Sequence, residues 1–401
     1  MKRKVVVIGH GYTSRLGVIR SVGQIGCDVT VIVMTSYKRM SKELSTKKPI
    51  DCFSKYVSRY LFCHLRDEEG LIQLLLKECV DPNQKVVIIP DSDFSAAAID
   101  KNQERLKEHF LFPHIHHTPG TIVKWMDKQR QKDAARKVGL HVAKSCTIQI
   151  KEENYHLPAN ISYPCFIKPQ ATIVGGKSFL KRCNNKEELD TALHTIALLG
   201  DMQVLVEDFK TIDTEYAAVG FSNGEDVIIP AVMQILEMSH GGHFGVACLG
   251  KVMPTMGFEK EINKFKDLIR EIGYFGLFDV DFYSSGNEKF FCELNLRFGG
   301  SGHATTLLGV NLPGMFVKSI LGQDITGMRK SVNTSSIYVN ERMCIDDWYK
   351  GFITTREYRK ILAKAHLKFI EDPQDSSPEE KLKNELRILR IKRFIKKLMQ
   401  K

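Results

Sequence analysis

The chain has 401 residues, 43% of them hydrophobic and 26% charged, with a formal net charge of +11. That length accommodates two or three domains with substantial cores, while apolar runs such as Val5-Val6-Val7-Ile8 and Val86-Val87-Ile88-Ile89 stop far short of the roughly 20 residues a membrane span needs. The excess charge is uneven, with nine Lys/Arg against three Glu between Pro378 and Lys401, which argues against a nucleic-acid-binding core and leaves nucleic acid out of the expected partners.

Lys4–Ile8 reads as a buried strand. Lys2, Arg3 and Lys4 precede it and Gly9-His10-Gly11 follows at once, so the run is too short for the h-region of a secretory leader and a cytoplasmic protein is expected. The ten cysteines include no Cys-x-x-Cys pair, and several stand in apolar contexts such as Pro164-Cys165-Phe166. Reduced, buried thiols are expected, with neither a disulfide framework nor a zinc site. After the glycine turn a helix from about Ser14 to Gly26 and a strand Val29–Val33 complete a unit that predicts a parallel sheet. Another strand, Val86–Ile89, runs into Pro90-Asp91-Ser92-Asp93. Ligands bind at such carboxyl ends of parallel strands, so Asp91 is a candidate substrate contact; the competing role for Asp91 or Asp93 is to cap the next helix. Pro113–Gly120, with His114, His116 and His117, closes this first domain. Those histidines lack a nearby carboxylate or cysteine, which favours packing or solvent over metal.

From about Thr121 the pattern changes. Asp127–Val138 reads as a charged helix, Ser162–Pro169 as a strand ended by proline, Thr172–Ser178 as a glycine loop, and Lys186–Leu199 as a helix. Val204–Val206 is a strand leading into Glu207-Asp208-Phe209. β-rich stretches at Ala217–Phe221 and Val227–Gln234, a loop with Gly241-Gly242 and Gly245, and a helix Glu259–Ile272 follow. Two strands, Gly276–Phe282 and Lys289–Leu296, are joined by Ser284-Ser285-Gly286-Asn287, and Asp372–Pro378 reads as a linker.

The last two strands carry the clearest chemistry. Strand residues two apart share a face, so Glu293, Asn295 and Arg297 lie on one face of one strand, and Asp279 and Asp281 on one face of its partner. With the turn centred near Asn287, Asp281 falls opposite Glu293 and Asp279 opposite Asn295. Oxygen ligands grouped this way suit Mg²⁺, and Arg297 offers a planar fork to a phosphoryl group. The competing reading is a salt-bridged sheet edge, which the flanking Phe278, Phe282, Phe290 and Phe291 disfavour. Upstream, Lys168 stands rigidly at a strand end, Gly175-Gly176 and Lys177 can approach phosphate oxygens, and backbone at Glu207–Phe209 can meet an adenine edge.

With these pieces in this order, the sequence resembles the ATP-grasp superfamily over roughly residues 5–325. Asp127-Lys128, Tyr163–Pro169 with its glycine loop, Val206–Phe209, Phe278–Phe282 and Cys292–Gly300 carry the likeness; Leu296 stands where the family's common form has proline. The resemblance implies an α/β (α+β) architecture, an N-terminal parallel-sheet pre-ATP-grasp domain followed by two lobes clasping the nucleotide. The expected segments are 1–117 for the first domain and 118–330 for the ATP-grasp domain, divided at about 121–206 and 207–330. An extension over 331–371 and a linker with a basic amphipathic helix over 372–401 follow. The resemblance implies Lys128 and Lys168 on phosphates, Glu207 and Phe209 bordering adenine, Glu215 at the ribose hydroxyls, Asp281, Glu293 and Asn295 on Mg²⁺ (or Mn²⁺), and Arg297 on the transferred phosphoryl group. It also implies ATP as cofactor and a small carboxylate and an amine as substrates, joined through an acyl phosphate. Gly299, Gly300 and Ser301 are expected to cradle the carboxylate; His303 is a candidate further contact, with a structural role the favoured alternative. Ala231–Leu236 lacks the basic residue that many family members have there.

Within the superfamily the likeness is to carboxylate–amine ligases of the kind that includes D-aspartate and capsule-associated ligases, which suggests cell-envelope or polysaccharide synthesis. A nucleotide-binding regulatory protein is the alternative, and a dehydrogenase the weaker one, because Gly9-x-Gly11 with Gly17 is a poor dinucleotide fingerprint. In the tail, Leu382, Leu386, Ile388, Leu389, Ile391, Phe394, Ile395 and Leu398 recur at helical spacing among basic residues. Peripheral contact of 379–401 with an anionic membrane is one expectation; a helix packed on the body or in a homodimer is the other.

Overall fold

A computed structural model of the chain describes residues 2–10, 12–36, 48–152, 154–170, 180–240 and 246–398. The first sheet is parallel throughout, in the order Val57–His64, Asp28–Thr35, Lys4–Gly9, Val86–Pro90 and Phe110–Leu111. Its central strands are mostly apolar, with Val5–Ile8 and Val86–Ile89 wholly so, because helices cover both faces. One of them, Tyr12–Gln24, stops two residues before Gly26, whose φ of 86° is a left-handed conformation that suits glycine. Neither Asp91 nor Asp93 caps the helix Asp93–Lys101: Ser92 accepts from the Ser95 amide in a capping box. A serine hydroxyl both accepts and donates there, which frees the two flanking carboxylates for other partners.

A second, antiparallel sheet runs in the order Lys181–Cys183, Cys165–Pro169, Met202–Asp208, Ser145–Lys151 and Asn154–Tyr155, with the helix Lys186–Ala197 packed on it. The third and largest sheet contains Thr214–Asn223, Val232–Met238, Ala247–Met253, Tyr274–Ser285 and Glu288–Asn295. Side-chain alternation divides its work. Phe278, Val280 and Phe282 pack against Ile262, Phe265 and Ile269 of the helix Glu259–Ile272, whereas Leu277 joins the other face with Val219, Phe221 and Phe316. Asp279 and Asp281 share that second face.

Three helices, Glu341–Lys350, Thr355–Lys364 and Ser377–Leu398, close the C-terminal end. Contrary to the expectation for the thiols, Cys248 and Cys344 are joined in a disulfide, with Cα atoms 5.7 Å apart, while the other eight cysteines are free. The two partners are 96 residues apart, so no local spacing announces the pair. The segment expected to be a linker is also held. Arg20, fully buried, donates to the carbonyls of Phe369, Ile370 and Asp375 and to the Asp375 carboxylate. Among the described residues no helix is long and apolar enough to cross a membrane.

Candidate functional site

At its acidic residues, though not nearer the turn, the hairpin has the pairing read from the sequence. Asp279 pairs with Asn295 and Asp281 with Glu293, and Ser285 meets Glu288 across the turn. One departure follows: Phe282 pairs with Phe291, so Cys292 is an extra residue at an irregularity beside Glu293. A bulge of this kind re-aims a side chain. Here Cys292 joins the charged groups, with burial and then Glu207, Glu293 and Asp281 working against Lys168 to push its thiol up to about 11.

The acidic face is crowded. Asn295 donates to Asp281 at 3.1 Å, and the buried Asp279 Oδ1 has no hydrogen-bond partner among the described residues. Burial, Asp279 and Glu293 raise Asp281 well above the ordinary carboxylate range. Burial and Glu293 likewise push Asp279 up to about 6, against Arg297. Asp279 and Asp281 are thus disfavoured as a charged pair, and a divalent ion would relieve them. Among the described residues no three of His, Cys, Asp and Glu form a metal-holding group. The donors that would suit such an ion are the carboxylates of Asp281 and Glu293 and the amide oxygen of Asn295, with phosphate oxygens to complete the shell.

The basic side is built from a helix and a strand. Asp127 caps the helix Lys128–Lys137 and also accepts from the Gln170 amide at 2.6 Å, while the Lys128 backbone donates to the Gln170 carbonyl at 3.1 Å. One turn on, the buried Gln131 donates to the Leu294 carbonyl at 2.8 Å and accepts from its N–H at 2.9 Å. This anchors Lys128 beside the acidic strand, with its Nζ 3.6 Å from Glu293. Lys168 reaches Glu207 at 2.8 Å, and Lys132, which sequence reasoning missed, reaches the other oxygen of Glu207 at 2.5 Å. Burial works against the Glu207 charge, but Lys168 and Lys132 hold its carboxyl below the ordinary range. Burial lowers Lys132, helped by Lys168, whereas Lys168 is raised because the acidic groups Cys292, Glu207 and Glu293 outweigh its burial. The signal for Lys132 was available: it lies one helical turn from Lys128 and so shares its face.

The other expected residues are placed as follows. Phe209 lies under the guanidinium of Arg182, 4.3 Å from the ring centre. Glu215 stands opposite Tyr283, on the face that carries Asp281, and burial raises its carboxyl. Lys251, across from Gln234, falls on the opposite face with Tyr216 and Phe282, so it does not supply the missing base. Gly175, Gly176 and Lys177, and the loop Gly241–Gly245, lie outside the described residues.

Arg297 joins this face to the first domain, donating to Asp93 at 2.6 Å. Asp91 is buried alongside and accepts from Ser14 at 2.7 Å, its Oδ1 having no partner among the described residues; burial pushes it up to about 7 against Ser14, Arg15 and Arg297. Gly299 packs on the Asp279 carboxylate, where a Cβ would come within 2.0 Å of its oxygen, while nothing stands within 4 Å of a Cβ on Gly300. Ser301 is half-buried beside Tyr338. His303 has the surroundings of the structural alternative. It is 1% exposed, its ring packs near Phe369 and against Gly17, and neither nitrogen has a partner among the described residues. It belongs to the seam between the first domain and the large sheet. The His114 and His117 rings stack 3.5 Å apart, a packing arrangement.

The comparisons fit this geometry. A profile of the ATP-grasp domain matches residues 133–312. The carbamoyl phosphate synthase large chain of Pseudomonas putida is 25% identical over 199 residues, covering 48% of this chain and 18% of that one; this chain thus spans less than a fifth of that relative. Among solved structures, biotin carboxylase from Campylobacter jejuni in complex with a β-γ-ATP superposes with a TM-score of 0.64 at 16% identity, over 83% of this chain and 74% of that one. L-Amino acid ligase from Bacillus licheniformis gives 0.60 at 15% identity, over 84% and 79%. With the matched segment containing the acidic hairpin, Lys168 and Glu207, the chain carries an ATP-grasp domain, set against an N-terminal parallel-sheet domain.

Proposed function

We propose that the chain is an ATP-dependent ligase that activates a small carboxylate as an acyl phosphate and couples it to an amine. The observation that carries this reading is the facing pair Asp281–Glu293, with Asn295 beside it and Lys128 within reach of Glu293. Asp281, Glu293 and Asn295 would hold Mg²⁺ (or Mn²⁺), which when bound supplies positive charge to the phosphates. Lys128 and Lys168 take phosphate oxygens, with Gly175, Gly176 and Lys177 contributing from the glycine loop. Glu207 and Phe209 border the adenine, and Glu215 serves the ribose. Gly299, Gly300 and Ser301 cradle the acid, and Asp91 lines the first domain's side. Arg297, held by Asp93, stabilises the phosphoryl group in transit. The substrate carboxylate oxygen bonds to the γ-phosphorus and ADP leaves; the amine nitrogen then attacks the acyl carbon, phosphate leaves, and the amine proton passes to solvent.

The likeness to D-aspartate and capsule-associated ligases supports an acid or amine drawn from cell-envelope or polysaccharide precursors, and the basic segment 379–401 supports action beside a membrane. The reading is tested by thermal shift with Mg²⁺–ATP and with NADH, then by phosphate release across amino acids paired with carboxylates. Stabilisation by NADH alone would overturn it.

A further inference from the structure

The helix Ser377–Leu398 carries two apolar stripes on opposite sides. One is used: Leu382 is buried, and Leu386 and Leu389 pack with it against the cluster that holds Met343, Trp348 and Ile361. Arg393 lies over the Trp348 ring and Glu385 pairs with Arg342 at 3.0 Å, which fixes the side turned to the body. At about 100° per residue, Ile388, Ile391 and Ile395 fall together on the far side. They are 53%, 61% and 48% exposed, and Arg387 and Lys392, which flank them, are exposed as well. No acidic residue follows Glu385.

We infer that this outer stripe docks the chain on an anionic lipid bilayer. Isoleucines enter the headgroup boundary while the flanking cations meet lipid phosphates. Charge decides the occupant. A second copy meeting the same face sets cation against cation, and a nucleic acid pairs with the cations but gives the isoleucines nothing to enter. The inference deepens the tail's part of the proposed function and is independent of the ligase chemistry.

The test is flotation of the full chain with vesicles of phosphatidylcholine, alone and mixed with phosphatidylglycerol. Binding to the mixed vesicles only is expected, lowered about twentyfold by Arg387→Glu with Lys392→Glu and at least about tenfold by Ile391→Asp with Ile395→Asp. Melting temperatures of both variants should match the parent, because the changed side chains are exposed. Equal binding to neutral vesicles, or variants that bind like the parent, would overturn the inference. So would a concentration-dependent dimer abolished by the isoleucine changes, or retention by RNA without retention by vesicles. Loss of the Mg²⁺–ATP thermal shift with vesicle binding intact would sink the ligase reading and leave this one standing.

Discussion

The two sides of the candidate site handle charge in opposite ways. On the basic side, Lys132 and Lys168 share Glu207, and each has a partner in hand. On the acidic side, Asp279, Asp281 and Glu293 crowd together while the nearest guanidinium, Arg297, is already engaged by Asp93. The basic side is therefore complete without a ligand, a pre-organised platform whose geometry costs little to keep. On the acidic side Lys128 reaches Glu293, but burial and their like-charged neighbours raise Asp279 and Asp281, a pair that the proposed divalent ion would relieve. Stability sits on one side and binding on the other.

This contrast can be broken by substitution. Glu293→Gln removes a donor from the acidic side, and phosphate release should fall by about two to three orders of magnitude while nucleotide still shifts the melting temperature; full turnover would take Glu293 out of the site. On the basic side, Glu207→Gln leaves two buried lysines facing each other without their shared anion. A loss of about 3 kcal/mol or more in urea unfolding is expected, and an unchanged midpoint would show that Glu207 is not what holds them.

A buried group outside both clusters sharpens the comparison. Burial, then Arg20, holds His303 down to about 3 from an ordinary 6.5. Between those values the unfolded chain takes up a proton that the folded chain refuses, so stability is intact above pH 6.5 and falls as pH drops toward 3. The contribution is up to about 1.4 kcal/mol per pH unit. His303→Leu should flatten that slope in urea melts taken across the window, and a slope like the parent's would contradict it. The smallest effect is the most diagnostic: Asp281→Asn should raise the stability of the ligand-free protein by about 1 kcal/mol while lowering the further gain from Mg²⁺–nucleotide. Destabilisation of the ligand-free form would mean that Asp279 and Asp281 are not disfavoured as a charged pair.

Much of the fold was legible because it is local. Period-two alternation puts Asp279 and Asp281 on one face and Glu293 and Asn295 on one face, but the pairing Asp281–Glu293 needs the irregularity at Cys292, because the turn that sets Ser285 against Glu288 would by itself bring Cys292 opposite Asp281. The helix after Asp127 and the strand before Pro169 announce themselves through a cap and a proline. What stayed hidden joins distant parts of the chain. Lys132 and Glu207 are 75 residues apart, and the Cys248–Cys344 link spans 96. The irregularity at Cys292 depends on how one strand meets its partner, which a sequence pattern does not record. In the tail, apolar spacing was visible, but not that Leu382, Leu386 and Leu389 would turn inward and Ile388, Ile391 and Ile395 outward.

Gln131 stands in for a missing neighbour strand, making with one amide both bonds that such a strand would offer Leu294. The strand that carries Glu293 and Asn295 has the short strand His141–Val142 alongside it only at Phe290 and Phe291. Beyond that point its backbone would present open donors and acceptors, the template on which other chains add strands and precipitate. The side chain that positions the lysine helix therefore also guards the chain against aggregation, at the same place on the strand where the acidic residues lie.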